Sequence, residues 1–451
     1  MSSVNTDPNS GEQLLPFLDG FEAGAAFVPT VRQLQERARA RFQELGFPHR
    51  KLEDWRFTDV SRVANGTFTT DQRALDALGV SAEDISPLLY EGCRNVVVVN
   101  GRVVPELSDL DTSDAPGLTV QPMARALADA DLGARLGERL SQLAPFDDHA
   151  FVALNTAMFT DGVYLEVDRG AVIEQPLHLV FVSQTEGRAT ASYPRNLFVL
   201  GENSQSTIIE TYASLDDGES LNCPVTEIWA DAASVCHHYK VQKESLAANH
   251  LATFQVRCDR STNFSTQAIT HGGALVRNDV GAQLDGEGGT CTLNGLYVVA
   301  DDQQVGNHMY VEHKKPNTYS HELFKGILDG NAKTVFNGRI YVHREAQKTD
   351  AKQSNHNLVL SDRAVAHSNP QLEIFADDVR CTHGSTTGHL EEDAVFYLRS
   401  RGIEKDAATS LLTYAFASEF VELVEVEALR KDLQDFLFSR LAGGDIVRQA
   451  V

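Results

Sequence analysis

Between residues 151 and 389 the apolar residues fall in short β-rich runs rather than helical stripes. VYLEV (163–167), LHLVFV (177–182), NLFVL (196–200), STIIETY (206–212) and LATFQVR (251–257) recur every dozen or so positions, mostly separated by Gly, Asp or Asn. Runs of this length, rich in β-branched and aromatic residues and bounded by turn formers, predict strands. A strand–turn–strand unit repeats loosely in LEVDRGAVIE (165–174), FVLGENSQSTIIE (198–210), WADAASVCHH (229–238), LVLSDRAVAHS (358–368) and IFADDVRCTHG (374–384). One such unit cannot bury its apolar face alone and stacks on its neighbours. The expected core is a mainly β, right-handed parallel β-helix, with a β-sandwich as the second architecture.

The flanks differ. Val31 to Leu45 spaces Val31, Leu34 and Ala38 at helical intervals. Val96 to Val99 reads as a strand, Asn100-Gly101 as a tight turn and Val103-Val104 as a return. Gln121 to Leu143 is helical in pattern but weakened by Gly133 and Gly137. At the other end, Ala407 to Val424 and Ala428 to Leu441 predict two amphipathic helices, the second stopped by Gly443-Gly444. The expected division is a mixed α/β region over 1–150, a β-helix over 151–393 and a helical segment over 394–451. Those helices either cap the solenoid's open edge strands or dock a partner through Phe416, Phe420 and Leu423.

Charge and motifs narrow the function. Against 39 Lys and Arg stand 63 Asp and Glu, a net −24 that repels nucleic acid and anionic membranes. The first 20 residues lack a secretory signal, and no run is long and apolar enough to span a bilayer. Six cysteines without a C-x-x-C pair fit reduced thiols, so a cytoplasmic protein is expected. No G-x-x-x-x-G-K-[ST], G-x-S-x-G, H-E-x-x-H or G-x-G-x-x-G is present. HGGALV (271–276) and GEGGT (286–290) read as turns, not phosphate cradles.

The most suggestive chemistry is Cys381-Thr382-His383-Gly384, after the acidic corner Asp377-Asp378. In an extended strand, residues 381 and 383 share a face, which sets a thiol beside an imidazole, ligands suited to iron or zinc. Two ligands are too few for an iron–sulfur site, so others would come from elsewhere in the chain or from another chain. Cys236 and His238 repeat the same spacing, and spacing alone does not choose between the pairs. Cys93, Cys223, Cys258 and Cys291 read as small buried residues.

The stretch 336–420 carries a resemblance. F-x-G (Phe336 to Gly338), A-Q-K-T-D-A (Ala346 to Ala351), P-x-L-E-I (Pro370 to Ile374), D-D-V-x-C-x-H-G (Asp377 to Gly384) and S-R-G-I (Ser400 to Ile403) occur in order. Together they resemble the C-terminal core of the SufB/SufD family, and E-D-W-R-F-T (Glu53 to Thr58) resembles a segment near its N-terminus. The lack of an N-terminal cysteine-rich motif places the chain nearer the SufD side. The resemblance implies a β-helix between an N-terminal domain and C-terminal helices, and a non-enzymatic role in assembling iron–sulfur clusters. It implies a SufB-like partner in a heterodimer and a SufC-like ATPase on the C-terminal helices; whether the chain alone forms a homodimer is left open. It also implies a transient cluster or iron at the subunit interface, met by Cys381 and His383. A rival from another class is a stand-alone β-helix polysaccharide hydrolase or lyase using Glu166, Glu174 and Glu210.

Overall fold

The computed structural model describes residues 14, 17–18, 26–70, 79–442, 444 and 448. From Arg94 to Gly388 the chain winds between two facing sheets. A ten-stranded sheet begins with the hairpin Arg94–Val99 and Arg102–Val103. It continues through Leu177–Ser183, Gln205–Ser214, Val235–Lys243, Asn263–Thr270, Thr290–Val299, Tyr319–Leu328 and Asp350–Val359 to Arg380–Gly388. An eleven-stranded sheet ends in Leu118–Pro122 on one side and Val365–Ile374 on the other.

From Val225 onward successive strands alternate between the sheets, and each pairs in parallel with the strands one coil before and after. Asp350 stands opposite Arg380, so one coil of two strands takes about 30 residues. This is a parallel β-solenoid, as the pattern predicted, rather than a sandwich of antiparallel meanders. Among the described residues antiparallel pairing occurs only near its start, between Arg94–Val99 and Arg102–Val103 and between Leu118–Pro122 and Val163–Val167. The sheets therefore already hold strands from residues 94–122, ahead of the 151–393 span. Asn100 and Gly101 take positive φ, the backbone that a two-residue hairpin turn requires.

Alternate side chains of each strand fill the bore between the sheets, including Leu165, Phe198, Val256, Phe264, Phe336 and Ile340. Across the bore the tilted rings of Phe324 and Phe336, from facing sheets, lie 5.1 Å apart.

On the outer face of the eleven-stranded sheet lie helix Pro29–Leu45 and the fully buried helix Ala150–Met158. Residues 121–143 form a strand end and two helices, Met123–Ala128 and Ala130–Arg139. They break at Asp129, whose carboxylate accepts from the backbone of Asp131 and Leu132 and caps the second helix. The expected weak point Gly133 is a close approach: a Cβ there would lie 2.7 Å from the Leu127 carbonyl. The E-D-W-R-F-T segment is a strap over this face. Arg277 lies 3.7 Å from the Trp55 ring and donates to the Asp54 carbonyl, while Phe57 stacks on His367 at 4.2 Å.

Helices Lys405–Val421 and Glu427–Arg440 cover the outer face of the ten-stranded sheet. Tyr414, Phe420, Leu433 and Leu437 are buried with Tyr239, Val241, Ile269 and Leu296. Tyr90 and Lys243 both donate to the Asp432 carboxylate, at 2.8 and 2.9 Å. This corrects the expected docking face: Phe420 is fully buried inside the chain and only Leu423 of that row is well exposed. Ile209 and Ile327 of the same sheet join this cluster, so the helices lie on the face of its middle strands. Gly443, half of the expected helix stop, lies outside the described residues. Among the described residues, no helix is long and apolar enough to cross a membrane.

Candidate functional site

The last coil consists of Val365–Ile374 and Arg380–Gly388, which end their respective sheets. Each bonds to the coil before it, and among the described residues its outer edge meets no further strand. Pro370 is tolerated because an edge strand need not donate every N–H. Burial falls away here: beyond Cys381, every residue of Arg380–Gly388 is exposed.

Two of the sequence marks are neighbouring rungs. Asp350 and Ala351 stand directly under Arg380 and Cys381. The turn before them holds Lys348 at φ 64°, Thr349 Oγ1 donates to the Ala346 carbonyl at 2.9 Å, and Gln347 Oε1 accepts from the Asp378 N–H at 2.9 Å. Lys348 also pairs with the Asp378 carboxylate. The A-Q-K-T-D-A segment thus fixes the corner from which D-D-V-x-C-x-H-G departs.

Strand parity turns Cys381, His383, Ser385 and Thr387 toward the bore side of this last rung. Cys381 is half-buried against the apolar core, and His383 is exposed. Burial raises the Cys381 thiol pKa, a hydrogen bond from the Ala351 backbone lowers it, and the nearby Asp350 charge raises it again. The thiol is therefore held in its neutral form and would need a metal or a base to become a ligand. Among the described residues no group of three or more His, Cys, Asp and Glu is arranged to hold a metal. The last strand brings Cys381 and His383 to one row, and among the described residues no third such ligand joins them.

Cys236 and His238 occupy the same two inward columns, deep inside the solenoid. Both are about 1% exposed. His238 Nδ1 shares a hydrogen bond with Thr266 Oγ1 at 2.8 Å, and its ring packs 4.8 Å from Phe254. Burial pushes the Cys236 thiol up to about 12. Cys93, Cys223, Cys258 and Cys291 are buried as well. The carboxylates of the hydrolase reading do not converge. Glu210 is sealed in the bore against Tyr212 Oη (2.6 Å), Glu166 pairs with Arg135 (3.2 Å), and Glu174 is exposed.

Sequence reasoning missed the residues beneath the last rung. Gln353 precedes His383 in its column, and Glu322 precedes Gln353. Gln353 Nε2 donates to Glu322 Oε2 at 2.9 Å, and burial pushes the Glu322 carboxyl up to about 8. The available signal was the even spacing of coils, which aligns 322, 353 and 383.

Comparison with known proteins gives two matched models. The SUF system FeS cluster assembly SufBD core domain matches residues 181–416, and the SufBD protein N-terminal region matches 24–179. The chain belongs to the SufBD family. It is 30% identical to the iron–sulfur cluster assembly protein SufD of Escherichia coli, over 97% of this chain and 99% of that protein. It is 25% identical to SufD of Bacillus subtilis, over 89% and 92% of the two chains. A chloroplastic protein of Arabidopsis thaliana, ABCI7, is 28% identical over 90% and 85%. The SufBD core match spans both edge strands of the last coil, with Cys381 and His383 inside it.

Proposed function

We propose that this chain is a non-catalytic scaffold subunit for building iron–sulfur clusters, working from the open end of its solenoid. The observation that carries this reading is the uncovered last coil, with a thiol and an imidazole side by side in its final strand. An exposed edge strand recruits another strand unless something covers it. A SufB-like subunit with a matching last coil would extend both sheets by β-augmentation and bury the Cys381–His383 row. The partner would then supply the remaining ligands. The nascent cluster or its iron is the cargo, held by thiolate and imidazole.

A SufC-like ATPase would sit on the C-terminal helical region. Helix Glu392–Ser400 buries none of its residues and exposes Phe396 (70%) and Tyr397 (55%), which suits a partner contact better than the buried face of the following helices. In isolation two copies could pair through the same last coil as a homodimer.

The test is purification of the tagged chain from its native organism under anaerobic conditions. Co-purification of a SufB-like subunit and an ATPase, with iron and acid-labile sulfide, is the expected result. A chain recovered without such partners, iron or sulfide would overturn the reading.

A further inference from the structure

His383 ends an inward column that runs Leu293, Glu322, Gln353, His383 through four successive strands of the ten-stranded sheet. Its polar part has an unusual feature. Glu322 and Gln353 are 0% and 1% exposed, and each keeps one side-chain oxygen, Glu322 Oε1 and Gln353 Oε1, with no hydrogen-bond partner. A buried acceptor left unmade costs free energy, so this amide is not neutral filler. The Gln353 amide nitrogen already points down the column to Glu322. The residue one rung above Gln353 in this column, at the strand spacing of roughly 4.8 Å, is His383.

The opposite sheet makes room for this arrangement. Gly338, the glycine of the F-x-G mark, faces Gln353 across the bore, and a Cβ at 338 would overlap the Gln353 side-chain amide. The space is kept for that amide.

An imidazole that binds a metal through one nitrogen almost always donates its other N–H to an oxygen acceptor, which fixes the tautomer and aims the lone pair. We propose that Gln353 is the positioning residue for His383: its Oε1 accepts the His383 ring N–H when the last coil is covered, leaving the second ring nitrogen directed at the metal. Glu322 holds the Gln353 amide in that orientation. The proposal rests on the reading of Cys381 and His383 as ligands at a shared interface.

The experiment uses the assembled complex with its SufB-like partner, stripped of cluster and titrated anaerobically with cobalt(II). The visible ligand-field and thiolate charge-transfer bands report ligation directly. Gln353→Met, which keeps volume and removes the acceptor, is expected to weaken cobalt(II) binding about 10- to 100-fold, the usual cost of losing such a partner. Gln353→Glu restores an acceptor and can share one proton with Glu322, so it is expected to bind within about threefold of the parent. Should Gln353→Met fail to assemble, Gly338→Ala displaces the same amide and is expected to weaken binding in the same way.

If Gln353→Met and Gly338→Ala bind like the parent while His383→Ala does not, the positioning role is overturned and the ligand reading stands. Equal weakness of Gln353→Met and Gln353→Glu would also overturn it, since packing loss alone would then explain both. If His383→Ala itself binds cobalt(II) normally, the ligand reading fails, and the positioning role with it.

Discussion

Cys236 and Cys381 stand in one inward column of the ten-stranded sheet, joined through Phe264, Cys291, Ser320 and Ala351. Identical C-x-H spacing and identical strand parity give them opposite surroundings, because coils cover Cys236 on both sides and Cys381 on one. The native chain, held dilute enough to be monomeric, should therefore show a single fast thiol toward a disulfide reagent at mildly alkaline pH, and all six after unfolding. Cys381→Ser should remove the fast one. Rapid reaction of Cys236 would contradict this placement.

The same contrast separates the two histidines by stability. His238→Ala removes a buried ring and strands the Thr266 hydroxyl, costing about 2–3 kcal/mol. His383→Ala touches an exposed side chain and should stay within about 0.5 kcal/mol. Urea unfolding of both variants checks the pair, and comparable losses would refute it.

Much of this architecture is legible in the sequence. Short apolar runs, turn residues and missing helical stripes sufficed for a parallel solenoid, because each coil repeats one local pattern. Which C-x-H pair is accessible was not legible from spacing, since that depends on how many coils follow. A cue did exist: after Gly388 the pattern turns helical, so Arg380–Gly388 had to be the last rung. The helix faces were misjudged for a related reason. An apolar stripe at Phe420 reads the same whether it meets a partner or its own sheet, and Ile209, Tyr239 and Ile269 come from strands far away in sequence. The Glu322–Gln353 column was hidden because isolated polar residues inside β runs look like solvated positions.

The C-terminal region should divide accordingly. Phe420→Ala opens a cavity against the sheet and should cost about 3–5 kcal/mol. Phe396→Asp lies on the exposed helix and should leave the melting temperature unchanged while abolishing capture of the ATPase subunit. Retained capture by Phe396→Asp would move the docking site elsewhere.

Glu322 gives the fold a pH signature. Its folded-state value of about 8, raised by burial and only partly offset by the Gln353 hydrogen bond, lies above the unfolded value of about 4.3. The folded chain then keeps a proton that the unfolded chain releases, so stability falls as pH rises between those limits. The slope reaches about 1.4 kcal/mol per unit and vanishes below about pH 4. Glu322→Gln should remove that slope and gain on the parent from pH 6 to pH 8 in urea unfolding. Parallel curves for the two proteins would show that the carboxyl is not held neutral.

The central claim is that the uncovered last coil presents a cluster ligand rather than a structural residue. It is tested most directly by iron, sulfide and visible absorbance of complexes purified at matched subunit stoichiometry with His383→Ala. The expected result is an intact complex with sharply lowered iron, sulfide and absorbance, with Cys381→Ser showing a similar or smaller loss. A His383→Ala complex with full cluster content, especially if His238→Ala loses it, would place the site elsewhere in the chain.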